Sequence, residues 1–570
     1  MTRARLGALA VCGVVAAAVF VGGTVGAQTE DQRSALVVLV PGAGFDDLMA
    51  IPDLASLARA GGAGLLVNPD DVVEFGGSPH LRGETRNVLV AGTSLQALVE
   101  RTRLAGFADD ELLVIVIGAD PSSGSAEKDI GNIGLGPEIG GVVVAEGTPE
   151  TLFPETGEQG SLTSDSTRRD GVVTGGDVRA TLIEYLGRAP LVSGDVPTGS
   201  PIEIIPGPPP FELHESYLAQ RRMYVPIGTA GGIYLAIVGL GAIAALALGN
   251  HVPRNVRRIF GWGCLSVAAL ATALLAAGHL PDLTYATVVP FVALVTVFGT
   301  LAFAPLEHRD VLLIPAGLGI ALLAYFAVEA VLAWTAALTP FVGGSELDGG
   351  RFYGLPNAFI GLLIGASLWI AQRLRSLAGF ALLVAVALFA GLPYLGANLG
   401  GGVSLFAAAG LWLAIRERER LGLWRGIGVF VGVTALGAAV ILAAHAVSPF
   451  ETHVTRFEEQ AGGLAGVFEK FGDRLQVGFD LIARNPFALI PVLGLPIAIA
   501  AVLRPPTPLR PSLQQSPAWR DAILVTLLAG IVAYLVNDSG PAAAGFAFGL
   551  GLGGLLGVSL LSEAGKMGEP

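Results

Sequence analysis

The sequence predicts two parts of different fold class: an α/β domain, followed by an all-α polytopic bundle of membrane helices. Of the 570 residues, 52% are hydrophobic and only 14% are charged, and the mean hydropathy is +0.65. That composition is too apolar for a water-soluble globular protein. Most acidic residues lie in residues 30–222, whereas residues 224–561 are apolar runs separated by short polar loops. The first region is therefore predicted to be soluble and the second to lie in a membrane.

A basic N-terminus precedes the first apolar run. Arg3 and Arg5 are followed by 22 residues without a charge, residues 6–27, which end in the small residues Val-Gly-Ala. A helix needs about 20 apolar residues to cross a bilayer. Residues 1–27 are therefore predicted to be a cleaved signal peptide or a first transmembrane helix. Both alternatives export the chain from residue 28 onward.

Composition divides the remaining chain. The predicted parts are an exported domain (28–198), a proline-rich linker (199–223), a membrane domain (224–561) and a cytoplasmic tail (562–570). Because each proline fixes φ and removes a donor, the linker is expected to be extended and stiff. The membrane domain contains eleven predicted spans, at 224–248, 259–278, 284–304, 311–334, 354–372, 377–393, 400–415, 426–446, 486–503, 521–537 and 540–561.

Arginines are concentrated in alternate loops between these spans. The loops after the first, third, fifth, seventh and ninth spans hold most of them, whereas the opposite loops hold few. Basic residues in short loops remain in the cytoplasm, so the sequence predicts a multi-pass plasma-membrane protein with residues 28–223 outside and the C-terminus inside. A long outer segment, 449–485, has apolar residues near helical spacing and is predicted to form amphipathic helices on the outer face.

Cysteine usage and net charge exclude several classes of partner. Cys12 and Cys264 both lie in apolar runs, so they are not expected to form a disulfide in the exported domain or a zinc site. The net charge is −13, which argues against a nucleic-acid partner. The predicted partner is the lipid bilayer, and no cofactor is predicted.

The exported domain alternates strands with helices. Apolar strands are expected at "ALVVLV", "GAGLLV", "ELLVIVIGA" and "IGGVVVAEG", and helices at "DLASLARAGG" and "SLQALVERTRLAG". The stretch "SLTSDSTRRDGVVTGGDVRATLIEYLG" is expected to be a loop followed by a strand and a helix. This alternation is typical of a mostly parallel sheet covered by helices.

Two stretches resemble the alkaline-phosphatase superfamily. "VVLVPGAGFDDL" with "PDLASLARAGGAGLL" resembles its opening strand and helix, and "LTSDSTRRDGVVTGGDVRATLIEYLG" resembles its closing stretch, so that the resemblance covers about residues 35–190. It implies a truncated version of that α/β fold, with chemistry expected where the strands end.

The metal ligands that the resemblance implies are missing. The family has a metal-binding Asp after the first strand, where this chain has Pro41, and Asp-His-Gly after a central strand, where this chain has Gly-Ala-Asp ending at Asp120. Asp46, Asp47 and Asp120 could be ligands, but Asp46 and Asp47 lie where a helix N-terminus favours acids in any case. The exported domain is therefore predicted to be a pseudoenzyme without a metal.

Arg168 and Arg169, in "STRRDG", form the most basic part of the exported domain. They are candidates for binding an anionic glycan or lipid headgroup. The alternative is that they pair with the neighbouring acids Asp165 and Asp170.

Glu329 is a lone carboxylate inside a predicted span. Charges at membrane depth are costly and often functional, so Glu329 is a candidate for titration during transport. The alternative is that it pairs with a neighbouring helix and is structural.

Further polar residues are predicted to cluster at the outer leaflet. The candidates are Arg351 as an anion clamp, Asn357 and Asn398 as orienting amides, and Asp538 as a base. "RFYGLPNAFIG", "GANLGG" and "NDSG" resemble segments of a group of bacterial polytopic proteins with the same kind of exported domain, whose reaction is not known. Tight packing of glycine-rich helices is the alternative explanation for these positions.

Three functional hypotheses follow. The first is a bacterial envelope protein whose membrane domain handles a lipid-linked or anionic substrate at the outer leaflet, with a non-catalytic exported domain. The second is a metal-dependent phospho- or phosphoethanolamine-type transferase, which the missing ligands disfavour. The third is a transporter or flippase, in which Glu329 and the glycine-rich spans would couple transport.

Overall fold

The computed structural model describes the chain in twelve stretches. These are residues 17–21, 34–41, 45–50, 52–67, 88–89, 112–119, 140–147, 160–185, 199–332, 354–448, 489–537 and 540–566. The chain divides into two compact units. The first unit is Met1–Asp129, Leu135–Leu218 and Leu347–Phe352; the second is Ile130–Gly134, Ala219–Glu346 and Tyr353–Pro570.

The described part of the first unit is built around one sheet. Its strands are β1 (Ala17–Val21), β2 (Ser34–Pro41), β3 (Gly62–Val67), β4 (Val88–Leu89), β5 (Leu112–Ala119), β6 (Gly140–Gly147), β7 (Gly160–Ser164), β8 (Val172–Thr174) and β9 (Ile202–Pro206). Its helices are α1 (Phe45–Met49), α2 (Pro52–Ala60) and α3 (Gly175–Tyr185). Each strand or helix that the sequence predicts within the described residues is present; the helix expected at "SLQALVERTRLAG" lies outside them.

The sheet is mixed, so the expectation of a mostly parallel sheet is wrong. The strands follow the order β4-β1-β2-β5-β6-β3-β7-β9, with β8 beside β3. Only β2–β5, β3–β7 and β3–β8 are parallel among the described pairs, and the other pairs are antiparallel. An apolar run indicates that a strand is buried on both faces, but it does not fix the direction of the neighbouring strand.

Both faces of the central strand β5 are covered. Ile115 and Ile117 belong to a buried cluster with Val178 and Leu182 of α3. Side chains alternate between the faces of a strand, and Val116, on the opposite face, is also fully buried. The α/β layering predicted from the sequence is therefore present.

Two segments differ from their predicted conformation. Ala17–Val21, within the run predicted as a signal peptide or first membrane helix, is a strand that pairs antiparallel with β2. An apolar run can satisfy its backbone in a sheet as well as in a helix, so the structure departs from the helical alternative here. In the predicted linker, 199–223, Ile202–Pro206 pairs with β7 and a helix begins at Phe211.

The second unit is helical throughout its described part. Its helices are α4 (Phe211–Leu248, which begins in the first unit), α5 (Arg254–Leu265), α6 (Val267–Ala276), α7 (Tyr285–Leu301), α8 (Leu313–Val331), α9 (Ile360–Ala371), α10 (Ser376–Gly391), α11 (Leu399–Arg416), α12 (Arg418–Ala446), α13 (Leu489–Leu503), α14 (Arg510–Gln515), α15 (Pro517–Val536) and α16 (Gly540–Lys566). Each of the eleven predicted spans contains one of them. The last helix, α16, continues to Lys566, into the predicted tail (562–570).

The helices have the lengths that a membrane domain requires. Within the described residues, seven are long and apolar enough to cross a bilayer, and a bent pair, α5 with α6, raises that number to eight. Three shorter apolar helices lie at Asn357–Ala371, Ser376–Gly391 and Leu493–Leu503. The chain is therefore a polytopic membrane protein, as predicted. The predicted amphipathic segment 449–485 lies outside the described residues.

Large aromatic side chains are buried in the bundle, and glycines allow its helices to approach closely. Trp369, Trp412 and Trp519 are fully buried. At Gly361 of α9, a Cβ atom would overlap the backbone carbonyl of Ala543 on α16, so the two helices are in backbone contact. Small residues at helix interfaces permit this approach in membrane proteins.

Arginines from the predicted cytoplasmic loops form a set of ion pairs, which we call the arginine belt. Its N–O distances lie between 2.7 and 3.1 Å. A hydrogen bond of 2.5 Å from Ser376 Oγ to Glu417 Oε1 joins two of these loops. The pairs are Arg257–Glu563, Arg258–Glu307, Arg373–Asp310, Arg416–Asp521 and Arg418–Asp521. The loops that the sequence assigns to one side of the membrane thus meet at one end of the bundle.

Candidate functional site

Glu329, the acid that the sequence places inside a membrane span, contacts a histidine. Glu329 lies near the end of α8 and has no solvent exposure. Its Oε1 atom is 2.5 Å from Nε2 of His279, which ends a short 3-10 turn, Ala277–His279, after α6. The side chain of His279 is 37% exposed. The structure therefore joins a fully buried carboxylate to an imidazole that reaches the surface of the bundle.

Packing holds α8 in this position. Phe326 is fully buried, and its ring lies 6.0 Å from that of Phe359 on the neighbouring segment. Tyr325 precedes Glu329 by four residues, which places both on one face of the helix. The buried Tyr325 hydroxyl makes no short hydrogen bond to a described residue, but it is near enough to the Glu329 carboxylate for an electrostatic interaction.

A carboxyl group and an imidazole at this distance are hydrogen-bonded, and which of the two donates depends on their protonation and on the tautomer of the ring. The contact is neutral overall as carboxylic acid with imidazole or as carboxylate with imidazolium, and it carries one negative charge as carboxylate with the neutral Nε2–H ring. A net charge buried in an apolar interior is costly. A proton that moves onto the charged form of the pair therefore removes a buried charge, and the contact provides two groups that can hold it.

The two predicted amides, Asn357 and Asn398, come together. Nδ2 of Asn398 donates to Oδ1 of Asn357 and to the carbonyl of Leu355, both at 2.8 Å. Oδ1 of Asn398 accepts from the backbone N–H of Gly401 at 2.7 Å, which makes Asn398 the N-cap of α11. Asn398 is buried and all these groups are satisfied within the protein. That arrangement favours a structural role over contact with a substrate.

A third amide, Asn537, extends this cluster. Its Nδ2 donates to Oγ of Ser404 at 3.1 Å and to the carbonyl of Ala533 at 2.9 Å. Its Oδ1 lies against Gly400, where a Cβ atom would come within 2.7 Å of it. The sequence made the neighbouring Asp538 a candidate base and gave no role to Asn537.

Arg351 and Asp538 lie outside the described residues. The hypotheses of an anion clamp at Arg351 and a base at Asp538 therefore remain predictions. Of the four outer candidates, the structure describes only the two amides.

In the first unit, Arg168 and Arg169 lie in the turn between β7 and β8. Both are partly buried, and Arg168 has a φ of +52°. The Arg168 backbone N–H donates to the carbonyl of Ser164 at 2.8 Å, and the Arg169 carbonyl accepts from Oγ1 of Thr163 at 3.3 Å. These bonds define the turn, and the anion-binding role of the two side chains remains a prediction.

Beside this turn, Asp177 is a fully buried acid that the sequence analysis overlooked. Its Oδ2 accepts from Oγ of Ser164 and from the N–H of Thr174, both at 2.8 Å, and its Oδ1 accepts from Oγ of Ser166 and, at 2.9 Å, from the N–H of Ser200. The Asp177 N–H in turn donates to Oγ1 of Thr174 at 3.2 Å. This is a capping box, visible in the sequence as Thr-Gly-Gly-Asp. With four donors, Asp177 is a structural centre of the first unit.

At the end of β2, the acid that could have been a metal ligand has another partner. Oδ1 of Asp46 lies 3.2 Å from Nδ1 of the buried His214. Pro41 supplies no ligand, and the described residues contain no group of three or more His, Cys, Asp or Glu side chains placed to hold a metal. Asp120 lies outside the described residues. The residues present at this strand end do not fit the two-metal site that the resemblance implies.

No known protein family, curated protein or solved structure is significantly similar to this chain. The resemblance to the alkaline-phosphatase superfamily is therefore not confirmed by these comparisons.

Proposed function

We propose that the membrane unit is a proton-coupled transporter or flippase of the bacterial envelope, acting on a lipid-linked or anionic substrate. The observation that supports it is the pair formed by the fully buried Glu329 and the partly exposed His279. The substrate class comes from the sequence hypothesis. With the two described outer amides bonded to each other, the geometry favours transport over a reaction at the outer leaflet.

The structural alternative for this pair explains less. A hydrogen bond between α8 and the turn after α6 could be made by two neutral side chains, without an ionisable group in an apolar bundle. A carboxylic acid in contact with a partly exposed imidazole is instead the arrangement that proton relays use. The pair therefore has a chemical capacity that a structural link does not need.

For the exported unit we propose recognition without catalysis. A metal-dependent transferase would need ligands that Pro41 does not provide, while Asp46 is bonded to His214. The proposed orientation is that of the sequence, with residues 28–223 outside the plasma membrane and the C-terminus inside.

Reconstituted protein tests the proposal. The probe is fluorescent NBD-labelled phosphatidylglycerol, an anionic lipid, in liposomes with an imposed pH gradient, and its movement between leaflets is followed by dithionite quenching. We expect gradient-dependent movement with the wild-type protein and with Glu419→Gln, an exposed control. We expect none with Glu329→Gln, which keeps the shape of the side chain but cannot release a proton. No movement with the wild type, or equal movement with Glu329→Gln, would show the proposal to be wrong.

A further inference from the structure

We propose that His279 is the group through which Glu329 exchanges protons with water, and that it does so from the end of the bundle opposite the arginine belt. This inference rests on the proposed function. It adds the residue through which the proton reaches Glu329 and the side of the membrane from which it comes. It assigns a function to a residue that the sequence analysis did not select.

The solvent exposure of His279 and Glu329 decides which of them receives a proton from water first. Glu329 has no exposed surface, so a proton from water cannot reach it directly. His279 has 37% of its side chain exposed and is 2.5 Å from the acid. Any proton that arrives by way of this contact must bind the imidazole first.

The two ring nitrogens of His279 have different surroundings. Nε2 contacts Glu329, whereas Nδ1 makes no hydrogen bond to a described residue. Starting from the neutral Nε2–H ring and the Glu329 carboxylate, a hydronium ion can give a proton to Nδ1 while the proton on Nε2 passes to the carboxylate. One O–H bond of hydronium breaks as one N–H bond forms at Nδ1, and one N–H bond breaks at Nε2 as one O–H bond forms on Glu329. The ring ends as the neutral Nδ1–H tautomer, and the proton count is balanced.

Among the described residues, few other ionisable groups lie near the pair. Tyr325, on the same helix, is near enough to Glu329 for an electrostatic interaction, and the helices α6 and α9 that pack against α8 contain no ionisable residue. Tyr285 begins α7, beside the turn of His279, and donates to the carbonyl of Arg222 at 3.1 Å. Asp282 follows three residues after His279. Glu307, in the turn that packs against the start of α8, is held by Arg258 in the belt.

The position of Glu329 along α8 shows at which end of the bundle the Glu329–His279 pair lies. The helix starts at Leu313, just after Asp310, which pairs with Arg373 in the arginine belt. Glu329 lies sixteen residues further on, which at 1.5 Å per residue is about 24 Å along the axis. The pair therefore lies at the opposite end from the belt, and with the belt in the cytoplasm His279 faces the exterior.

Infrared difference spectroscopy tests this directly, with protons as the only probe. The protein is reconstituted in liposomes of phosphatidylcholine and phosphatidylglycerol with its orientation determined, and the pH is lowered on one side at a time. We expect the C=O absorbance of a protonated carboxylic acid to appear after external acidification, and to be missing in Glu329→Gln. In His279→Gln we expect that step to be slower by about a hundredfold. The control is His251→Gln, because His251 is exposed and lies at the belt end.

Chemical rescue separates proton transfer from a structural role. Imidazole added outside should restore the fast step in His279→Ala, whereas a purely structural defect would not respond. If His279→Gln protonates Glu329 at the wild-type rate, or if the signal follows internal pH only, the inference is wrong. In that case lipid movement that still depends on Glu329 would leave the proposed function standing. Lipid movement that is unaffected by Glu329→Gln would contradict the proposed function itself.

Discussion

Single polar residues among apolar helices are satisfied in different ways at positions 329 and 398. Asn398 uses its Oδ1 and Nδ2 atoms for three internal hydrogen bonds, so it is fully partnered inside the protein. Glu329 is bonded to His279, whose side chain is 37% exposed and whose Nδ1 makes no hydrogen bond to a described residue. The first arrangement fixes a structure, and the second is the one for which we propose exchange of a proton.

Asn398→Ala should lower the stability of the membrane unit by about 1–3 kcal/mol, because it removes the cap of α11 and the donor to Asn357. The check is thermal unfolding of the purified protein in detergent. Asn250→Ala is the matched control, since Asn250 is exposed in a turn, and it should have little effect. Equal melting temperatures for Asn398→Ala and the wild type would contradict the assigned role.

Asp177→Ala should lower the stability of the first unit by about 3 kcal/mol, because four donors, three of them buried, lose their acceptor. Asp177→Asn keeps one oxygen and should lose less. Limited proteolysis of the full-length protein measures this, through cleavage in residues 112–185. Cleavage at the wild-type rate in Asp177→Ala would show that the network contributes little.

Among the helices, glycine acts through the contact it permits and not through flexibility. Gly361→Ala should destabilise the bundle, because its new Cβ would overlap the carbonyl of Ala543 and force α9 and α16 apart. Gly428→Ala, on α12, is the matched control, because nothing lies within 4 Å of its Cβ position. Alanine is favoured over glycine in a helix by about 1 kcal/mol, so the control should melt at the wild-type temperature or above. If Gly361→Ala melts with the control, the described contact is wrong.

The sequence predicts helices in the membrane unit more completely than the strand directions in the first unit. A helix that spans a bilayer must satisfy its own backbone, so its length and composition are visible locally, and every predicted span contains a helix. A strand takes its direction from partners far away in sequence. The same limit explains β9, where Ile202–Pro206 pairs with Gly160–Ser164 although its prolines indicate a linker.

Of the two residues of the candidate site, one could be predicted from the sequence and the other could not. Glu329 is visible in the sequence because a lone acid interrupts an apolar run. His279 is fifty residues earlier, in "GHLPDL", where a polar loop residue carries no signal. Only the packing of α6 beside α8 brings the two together. For Asn357 and Asn398 the sequence placed both residues at the outer end, but it could not show that Asn398 donates a hydrogen bond to Asn357.

At the scale of the whole molecule, the arginine belt is the feature from which we predict the orientation of the protein in the membrane. The positive-inside bias predicts that it lies in the cytoplasm. In a variant without native cysteines, Tyr394→Cys, which is exposed at the opposite end, should react with an impermeant maleimide on intact cells. Asn250→Cys should react only after the cells are opened. The reverse pattern would place the first unit, and His279, in the cytoplasm.

The most direct test of the account is a double-mutant comparison of gradient-driven lipid movement in the liposome assay, with Glu329→Gln, His279→Gln and the double variant. If the two residues form one proton pathway, their effects are not additive. We therefore predict that Glu329→Gln abolishes coupling to the pH gradient and that adding His279→Gln causes no further loss. Full coupling in Glu329→Gln, or a residual activity that His279→Gln reduces independently, would contradict the account.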